Sequence, residues 1–308
     1  MIVGTSLEDE SLLKIHIDTT SDSFTIISST STKHRVIVPA TSDFYYSIEA
    51  SDLKKSGRIT FPSPELKEFE FVVYGDTRYG TEVHEKIVEK TRKIPFAFVL
   101  GDLVSNGLNL SEWRTFLEIE SKREGILFTA RGNHDFGFLY NSFLYPDNYT
   151  VRIGNLRFIV LDSNSILFLK NLEDLFEKFK DERTFKVVMF HHVIFSCGPH
   201  GRDLDTLLRK RAHDIFKRYG VKIVLTSHDH NYQRLVKDGI TYIVTGGGGA
   251  YLYRVDGSKG CGAKLVSYAV DRNYVLVKVE GYRLKFEVLN LEGKVLDEFE
   301  ITFGGGSV

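Results

Sequence analysis

Five apolar stretches of this chain each run into residues able to hold a metal ion. The densest case is Arg131-Gly132-Asn133-His134-Asp135, which follows a hydrophobic run over 125–130. Gly132 lets the backbone turn sharply, and three side chains able to take a metal or a phosphate come directly after it. Asp76 follows the run 69–74, Asp102 the run 96–100, His191 the run 185–190, and the His228/His230 pair the run 222–225. Open α/β sheets place their ligands at strand ends. One such turn is more often only a turn, since Asn and Asp are ordinary turn residues. The repetition carries the reading.

All these donors are oxygens or imidazoles, with no thiolate, a set that suits Mn, Fe, Co or Zn. His228 and His230 are two apart, so on an extended segment they point the same way; at a turn they can reach two adjacent ions. One Asp of the set could bridge the ions with its two oxygens. Two divalent ions fit phosphate ester hydrolysis. They lower the pKa of a bound water to give hydroxide at neutral pH, hold the phosphoryl oxygens, and offset charge on the attacking and leaving groups. An uncharged Asn ligand keeps such a site more electropositive than another carboxylate would, which favours an anionic substrate.

The elements that must position these residues alternate from about residue 65. Helices are predicted over 82–93, with Val83, Ile87 and Val88 on one face, and after Ser111 as N-cap, carrying Trp113, Phe116 and Leu117. Leu172, Leu175, Phe176 and Phe179 mark a third, and a fourth runs over 203–219 with Leu204, Leu207, Leu208, Ala212, Ile215 and Phe216 on one face. A further strand over 156–161 ends at Asp162. After residue 230 the helices stop, and strands at 241–244, 265–270, 274–279, 284–289 and 295–301 form or extend a second sheet. This alternation predicts an α/β core with helices on its faces. Residues 1–64 lack helical periodicity and show strand-like pieces at 12–17, 24–27, 35–38 and 45–48, closed by Pro62-Ser63-Pro64. They predict a small N-terminal β domain ahead of a larger domain over 65–308. Gly304 to Gly306 read as an unstructured tail.

Bulk properties exclude several function classes. The 308 residues are 42% hydrophobic and 26% charged, with a formal net charge of -1 and a pI near 6.8. That balance is ordinary for a globular protein and lacks the basic excess of a general nucleic-acid or anionic-membrane binder. Residues 1–10 carry acids and no basic region of a signal peptide, and no apolar run is long enough to span a bilayer. Cys197 and Cys261 lie in no paired metal-ligand spacing and read as two free thiols in a reducing compartment. The expectation is a cytoplasmic protein acting on a small molecule, its oligomeric state left open.

The ordered set Gly75-Asp76, Gly101-Asp102, Gly132-Asn133-His134-Asp135, His191 and His228-Asp229-His230 resembles the signature of the calcineurin-like metallophosphoesterases. His230-Asn231-Tyr232-Gln233-Arg234, the stretch 244–250 with its four glycines, and a small β unit in front are similar to the branch related to purple acid phosphatases. The resemblance implies a four-layer αββα sandwich of two mixed sheets with the metals at one edge. It implies Asp76, Asp102 and His230 on a first metal and Asp102, Asn133, His191 and His228 on a second, with Asp102 bridging. It implies hydrolysis of phosphate mono- or diesters by attack of a metal-bound hydroxide. His134 would contact substrate and protonate the leaving oxygen, Asp135 would orient it, and His200 would be a second histidine on the substrate side.

Two positions depart from the pattern. Ser105 stands where purple enzymes carry the tyrosinate that colours ferric iron, so no purple band is expected and the first metal need not be ferric. Arg78 stands where many members carry a histidine. This leaves the first site three protein ligands, and Arg78 reads equally as a phosphate clamp or as a salt bridge beside the metals. His192 should point away from His191; His84 and His213 fall on helices and read as surface residues, and His16 and His34 get no role. Cys197 is expected to be buried rather than nucleophilic, and glycines 246–249 to bend under the site, since no P-loop Lys follows them. The competing class is a decayed metal-binding scaffold or interaction protein.

Overall fold

The computed structural model describes residues 66–303, apart from Tyr145, Asp181, Leu204, Asp205, Leu207 and Leu208, together with the strand backbones of residues 2–59. The helix face expected at Leu204, Leu207 and Leu208, the side chains of His16 and His34, the 62–64 linker and the glycine tail lie outside the described residues. The chain divides into compact units at 1–64 and 65–308.

The first unit contains β1 (Ile2–Ser11), β2 (Lys14–Thr19), β3 (Ser23–Ile27), β4 (Ser31–Ile37), β5 (Phe44–Glu49) and β6 (Lys54–Ile59). β1 pairs antiparallel with β4, and the others form an antiparallel sheet of order β3-β2-β5-β6. β1 and β6 were not expected from the sequence.

The second unit opens with β7 (Glu68–Tyr74), α1 (Thr81–Thr91), β8 (Phe96–Val99), α2 (Leu110–Glu120), β9 (Ile126–Thr129) and α3 (Phe138–Phe143). Next come β10 (Tyr149–Ile153), β11 (Leu156–Val160), α4 (Phe168–Lys178), β12 (Phe185–Met189), α5 (Ala212–Arg218) and β13 (Ile223–Thr226). It closes with β14 (Tyr232–Lys237), β15 (Ile240–Thr245), β16 (Lys264–Ala269), β17 (Tyr274–Glu280), β18 (Arg283–Leu289) and β19 (Val295–Thr302). One mixed sheet has the order β19-β18-β17-β7-β8-β9, the other β10-β11-β12-β13-β15-β14-β16. The late strands are therefore divided: β14 to β16 widen the second sheet and β17 to β19 the first. β10, β14 and α3 were not expected.

The two-residue period of a strand explains the layers. Val72, Tyr74, Ala97 and Val99 pack with Ile87, Trp113 and Phe116 of α1 and α2. Their neighbours Phe71 and Phe98 turn the other way and meet Phe158 of β11, at ring-centroid distances of 5.2 and 4.7 Å. On the far side Ile159, Val188 and Val224 pack with Leu172, Phe176 and Phe216 of α4 and α5. Two mixed sheets thus face one another between helical layers. Strands buried on both faces read as continuous apolar runs, which is why β7, β8, β12 and β13 were visible in the sequence.

Three local expectations are corrected. Asn109, not Ser111, caps α2, its side chain accepting from the N–H groups of Ser111 and Glu112. His84 and His213 are buried rather than on the surface. His84 shares the inner face of α1 with Ile87, Val88 and Thr91, and its Nε2 lies 2.8 Å from the buried Glu120 carboxylate. His213 sits between Tyr242 Oη at 2.6 Å and Asp238 at 2.9 Å. Finally, Cys197 and Cys261 form a disulfide, with Cα atoms 4.6 Å apart, and no cysteine is free. Spacing could not reveal this pair, because the bridge joins segments 64 residues apart that only the fold brings together. No helix among the described residues is long and apolar enough to cross a membrane.

Candidate metal centre

The parallel strands β7, β8 and β9 end at Asp76, Asp102 and Asn133, and the parallel strands β12 and β13 end at His191 and His228. Backbone contacts clamp the two sheet ends together. His228 N–H donates to Asp76 Oδ2 at 2.8 Å, and His191 Nδ1–H donates to the Leu100 carbonyl at 2.8 Å. Gly132 is required here, because a Cβ would stand 2.3 Å from Asp102 Oδ1. Asp76, Asp102 and His228 hold left-handed backbone, with φ of 60°, 52° and 65°. Such conformations are costly for residues other than glycine and cluster at functional sites.

The side chains converge in two groups that share Asp102. One is Asp76, Asp102 and His230; the other is Asp102, His191 and His228, with Asn133 Oδ1 3.1 Å from His191 Nε2. The Leu100 carbonyl takes the Nδ1 proton of His191, so its Nε2 presents a lone pair. Around that lone pair lie Asn133 Oδ1, His228 Nδ1 at 3.0 Å and Asp102 Oδ1 at 3.4 Å. Burial, then the neighbouring His191, hold His228 well below the usual imidazole range, so its ring is neutral. Burial alone would raise the Asp76 carboxyl; His230, His191 and Arg78 outweigh it and hold it low. Asp76 Oδ1 and Asp102 Oδ2 are buried and accept no hydrogen bond, a costly state for an isolated carboxylate. Clustered lone pairs and orphaned carboxylate oxygens fit divalent cations, which require deprotonated ligands.

Arg78 complicates the first group. Its Nε lies 3.0 Å from Asp102 Oδ2, an ion-pair distance without hydrogen-bond alignment, and its Nη2 lies 3.3 Å from His230 Nε2. The guanidinium therefore presses against the ligand group that has the fewest protein donors. Ser105, where a tyrosinate would stand, contributes its backbone carbonyl instead, 2.9 Å from His134 Nδ1.

That contact corrects the role expected of Asp135. Its carboxylate does not reach the His134 ring. It is fully buried and accepts from the N–H groups of Gly132 at 2.8 Å, Leu103 at 2.9 Å and Val104 at 3.2 Å, stapling the Asp102 turn to the Asn133 turn. Burial, then the Asp102 charge, push it up to about 7 against the pull of those donors. His134 is instead held by the Ser105 carbonyl and by its own N–H, which donates to Asp102 Oδ1 at 3.0 Å.

His200 lies in a short 3-10 turn, Pro199–Arg202, with its ring centroid 4.1 Å from that of His228 and its Nδ1 2.6 Å from Asp203. Sequence reading missed what holds it. Buried Asp229 accepts the His200 N–H at 3.2 Å and the Ser196 hydroxyl, and the disulfide anchors the adjacent Cys197. It also missed Ser227, whose Oγ lies 3.0 Å from His191 Nδ1. His192, expected to point away from His191, meets Ser163 Oγ at 2.8 Å, yet its ring packs against the ligand group, with its centroid 4.5 Å from that of His228. The glycine stretch 246–249 packs under the centre, Gly248 N–H donating to the Gly75 carbonyl at 3.0 Å. Two cavities flank the 77–80 turn: one of about 300 Å³ is lined by Arg78, Ser105 and α2, and one of about 250 Å³ by Tyr79, Tyr251 and Arg272.

Residues 69–232, just over half of the chain, match the family model for calcineurin-like phosphoesterases. Purple acid phosphatase 7 of Arabidopsis thaliana is 27% identical over 202 residues, 63% of this chain and 57% of that protein. The chain thus spans little more than half the length of this curated relative. Among solved structures, a purple acid phosphatase from yellow lupin seeds aligns with 98% of this chain and 72% of its own at a TM-score of 0.69 and 14% identity. A dimetal phosphatase from Danio rerio aligns with 77% of this chain and 99% of its own at 0.57 and 12% identity. GAP50, the anchor in the inner membrane complex of Plasmodium, aligns with 78% of this chain and 90% of its own at 0.62 and 16% identity. At such identities the structures speak for the fold alone, while the family match rests on the segment carrying the converging side chains. The chain belongs to the calcineurin-like phosphoesterase family and is related within it to the purple acid phosphatases.

Proposed function

We propose that this protein hydrolyses phosphate mono- or diesters with two divalent metal ions, drawn from Mn, Fe, Co and Zn. The observation that carries the reading is the pair of ligand groups sharing Asp102, with buried carboxylate oxygens that accept no hydrogen bond. Asp76, Asp102 and His230 would hold one ion, and Asp102, Asn133, His191 and His228 the other. Bound there, the ions supply Lewis acidity toward phosphoryl oxygens and a lowered pKa for water.

The chain's own groups do the rest. His134 donates a hydrogen bond from Nδ1–H to the Ser105 carbonyl, so that Nε2 faces outward and, in the imidazolium form, would hand its proton to the leaving oxygen. His200 is placed for the same task, its ring held by the 2.6 Å contact of Nδ1 with Asp203. Arg78 is charged and flanked by Asp102 and His230, ready to meet an anionic phosphate. The small-molecule ester expected from the sequence stays the preferred partner. The disulfide removes the free-thiol support for a cytoplasmic placement, because such a bond favours an oxidising compartment.

The test is an assay of metal-loaded protein on aryl phosphate mono- and diesters across pH. No turnover with any of the four metals would sink the reading. A second reading, a metal-binding scaffold, draws on Arg78 pressing against the first ligand group. Asn133→Ala and His134→Ala separate the two: both abolish hydrolysis in an enzyme and leave partner binding intact in a scaffold.

A further inference from the structure

Tyr79 and Tyr251 stand at the edge of the metal centre, 62% and 76% exposed, with ring centroids 6.2 Å apart and ring planes 32° from parallel. Folding does not explain either ring. Tyr79 has a φ of 64°, strained for a bulky residue, and its ring recovers little burial in return. The backbone brings the two together by close approach. Any Cβ on Gly80 would lie 2.3 Å from the Gly249 carbonyl oxygen, so only glycine lets the 77–80 turn and the 246–251 segment touch.

Both tyrosines are tied to the ligand set. The Tyr251 carbonyl accepts the Nδ1 proton of His230 at 2.7 Å, and the Arg78 guanidinium lies 5.3 Å from the centre of the Tyr79 ring. The adjoining cavity of about 250 Å³ is lined by Tyr79, Tyr251, Gly249, Val83, Glu82 and Arg272. Its size suits a ring system rather than a macromolecule, and two exposed phenol faces offer stacking to any flat π-system.

We propose that Tyr79 and Tyr251 form the leaving-group platform of the centre, and that the preferred substrates are phosphate esters whose alcohol carries a planar aromatic ring. An aryl alcohol and a nucleoside share that chemistry. The proposal rests on the phosphoesterase reading, since it places the phosphate at the metals and the ring on the tyrosines.

The test uses binding of analogues with an uncleavable P–C bond, measured by calorimetry on the metal-loaded full chain. Benzylphosphonate stands for an aryl ester, the methylenephosphonate analogue of adenosine 5′-monophosphate for a nucleotide, and ethylphosphonate for an alkyl ester. At least one aromatic analogue should bind about fivefold or more tighter than ethylphosphonate, the lower end of what stacking on aromatic side chains contributes. Which one does so identifies the ring. The preference should fall below about twofold in Tyr79→Gly/Tyr251→Ala and survive in Tyr79→Phe/Tyr251→Phe. Glycine suits the left-handed position 79, so the first variant keeps its fold. Equal affinity for all three analogues, no binding of any, or a preference that outlasts Tyr79→Gly/Tyr251→Ala overturns the proposal. A clear preference without turnover of any aromatic ester would leave the platform standing and remove the hydrolase; turnover without a preference would do the reverse.

Discussion

Replacing Asp135 by Asn removes no metal ligand and almost no volume, yet it should damage both the fold and the centre. The carboxylate accepts three backbone N–H groups, two on Oδ1 and one on Oδ2. An amide must turn its NH2 toward one side. The cheaper orientation faces it to Gly132, where two donors then oppose each other across 2.8 Å. One hydrogen bond is lost, worth roughly 0.5–1.5 kcal/mol for a carboxyl that burial and Asp102 leave only partly ionised near neutrality, and a buried donor is left unsatisfied at roughly 1–3 kcal/mol. The sum is about 1.5–4.5 kcal/mol of a domain stability that is typically about 5–15 kcal/mol. At about 2–4 °C per kcal/mol for a unit of this size, the melting temperature should fall by about 3–18 °C. Because the staple joins the Asp102 and Asn133 turns, metal affinity should fall as well. His134→Ala removes a part-exposed ring and should shift melting far less. Calorimetric melting with metal analysis, run on both variants, decides the matter. If Asp135→Asn melts with the wild type while its activity falls to that of His134→Ala, Asp135 acts on the histidine and the staple argument is wrong.

Other expectations follow from neighbouring contacts. Ser227→Ala removes a hydroxyl beside His191 Nδ1 and should weaken metal binding about 10–100-fold, read by chelator competition, with little change in melting. Arg78→His restores a fourth donor to the first group, and metal analysis should find that ion held more tightly than in the wild type; unchanged affinity would mean that the guanidinium yields freely. Burial alone would raise Glu120, but Arg123 and His84 outweigh it and hold the carboxyl far below its usual range. Its stabilisation is therefore complete above the unfolded value of about 4.3 and is lost as pH falls from there toward the folded value. Glu120→Gln, which leaves Arg123 buried without its partner, should cost about 3–5 kcal/mol near neutrality, with that deficit shrinking below about pH 4 in urea unfolding. Thiol titration of the unfolded protein should find none before reduction and two after it.

The strand-end residues were legible because strands buried on both faces announce themselves as unbroken apolar runs, and whatever follows them stands at the sheet edge. The division of late strands between two sheets was not legible, since pairing is set by contacts far apart in sequence. β14 hid for a different reason: Gln233, Arg234 and Lys237 make it polar, and half-buried Arg234 is paired with Asp297, 63 residues away. His84 could have been found, because Ile87, Val88 and Thr91 place it on the inner stripe of α1. A histidine on a helix was read by type rather than by position. Asp135 was assigned by its neighbour in sequence, whereas its partners lie across the next strand connection. For Ser227 and the Cys197–Cys261 bridge, no local pattern exists to read.

The left-handed backbone at Asp76, Asp102 and His228 sets a conflict of interest within the molecule. Glycine would sit at all three positions without torsional penalty, and each such change would delete a ligand. A library screened only for survival of heat would therefore drift toward glycine there, and its hardiest members would be inert. Anyone engineering this scaffold for durability should leave those three positions fixed and seek gains elsewhere.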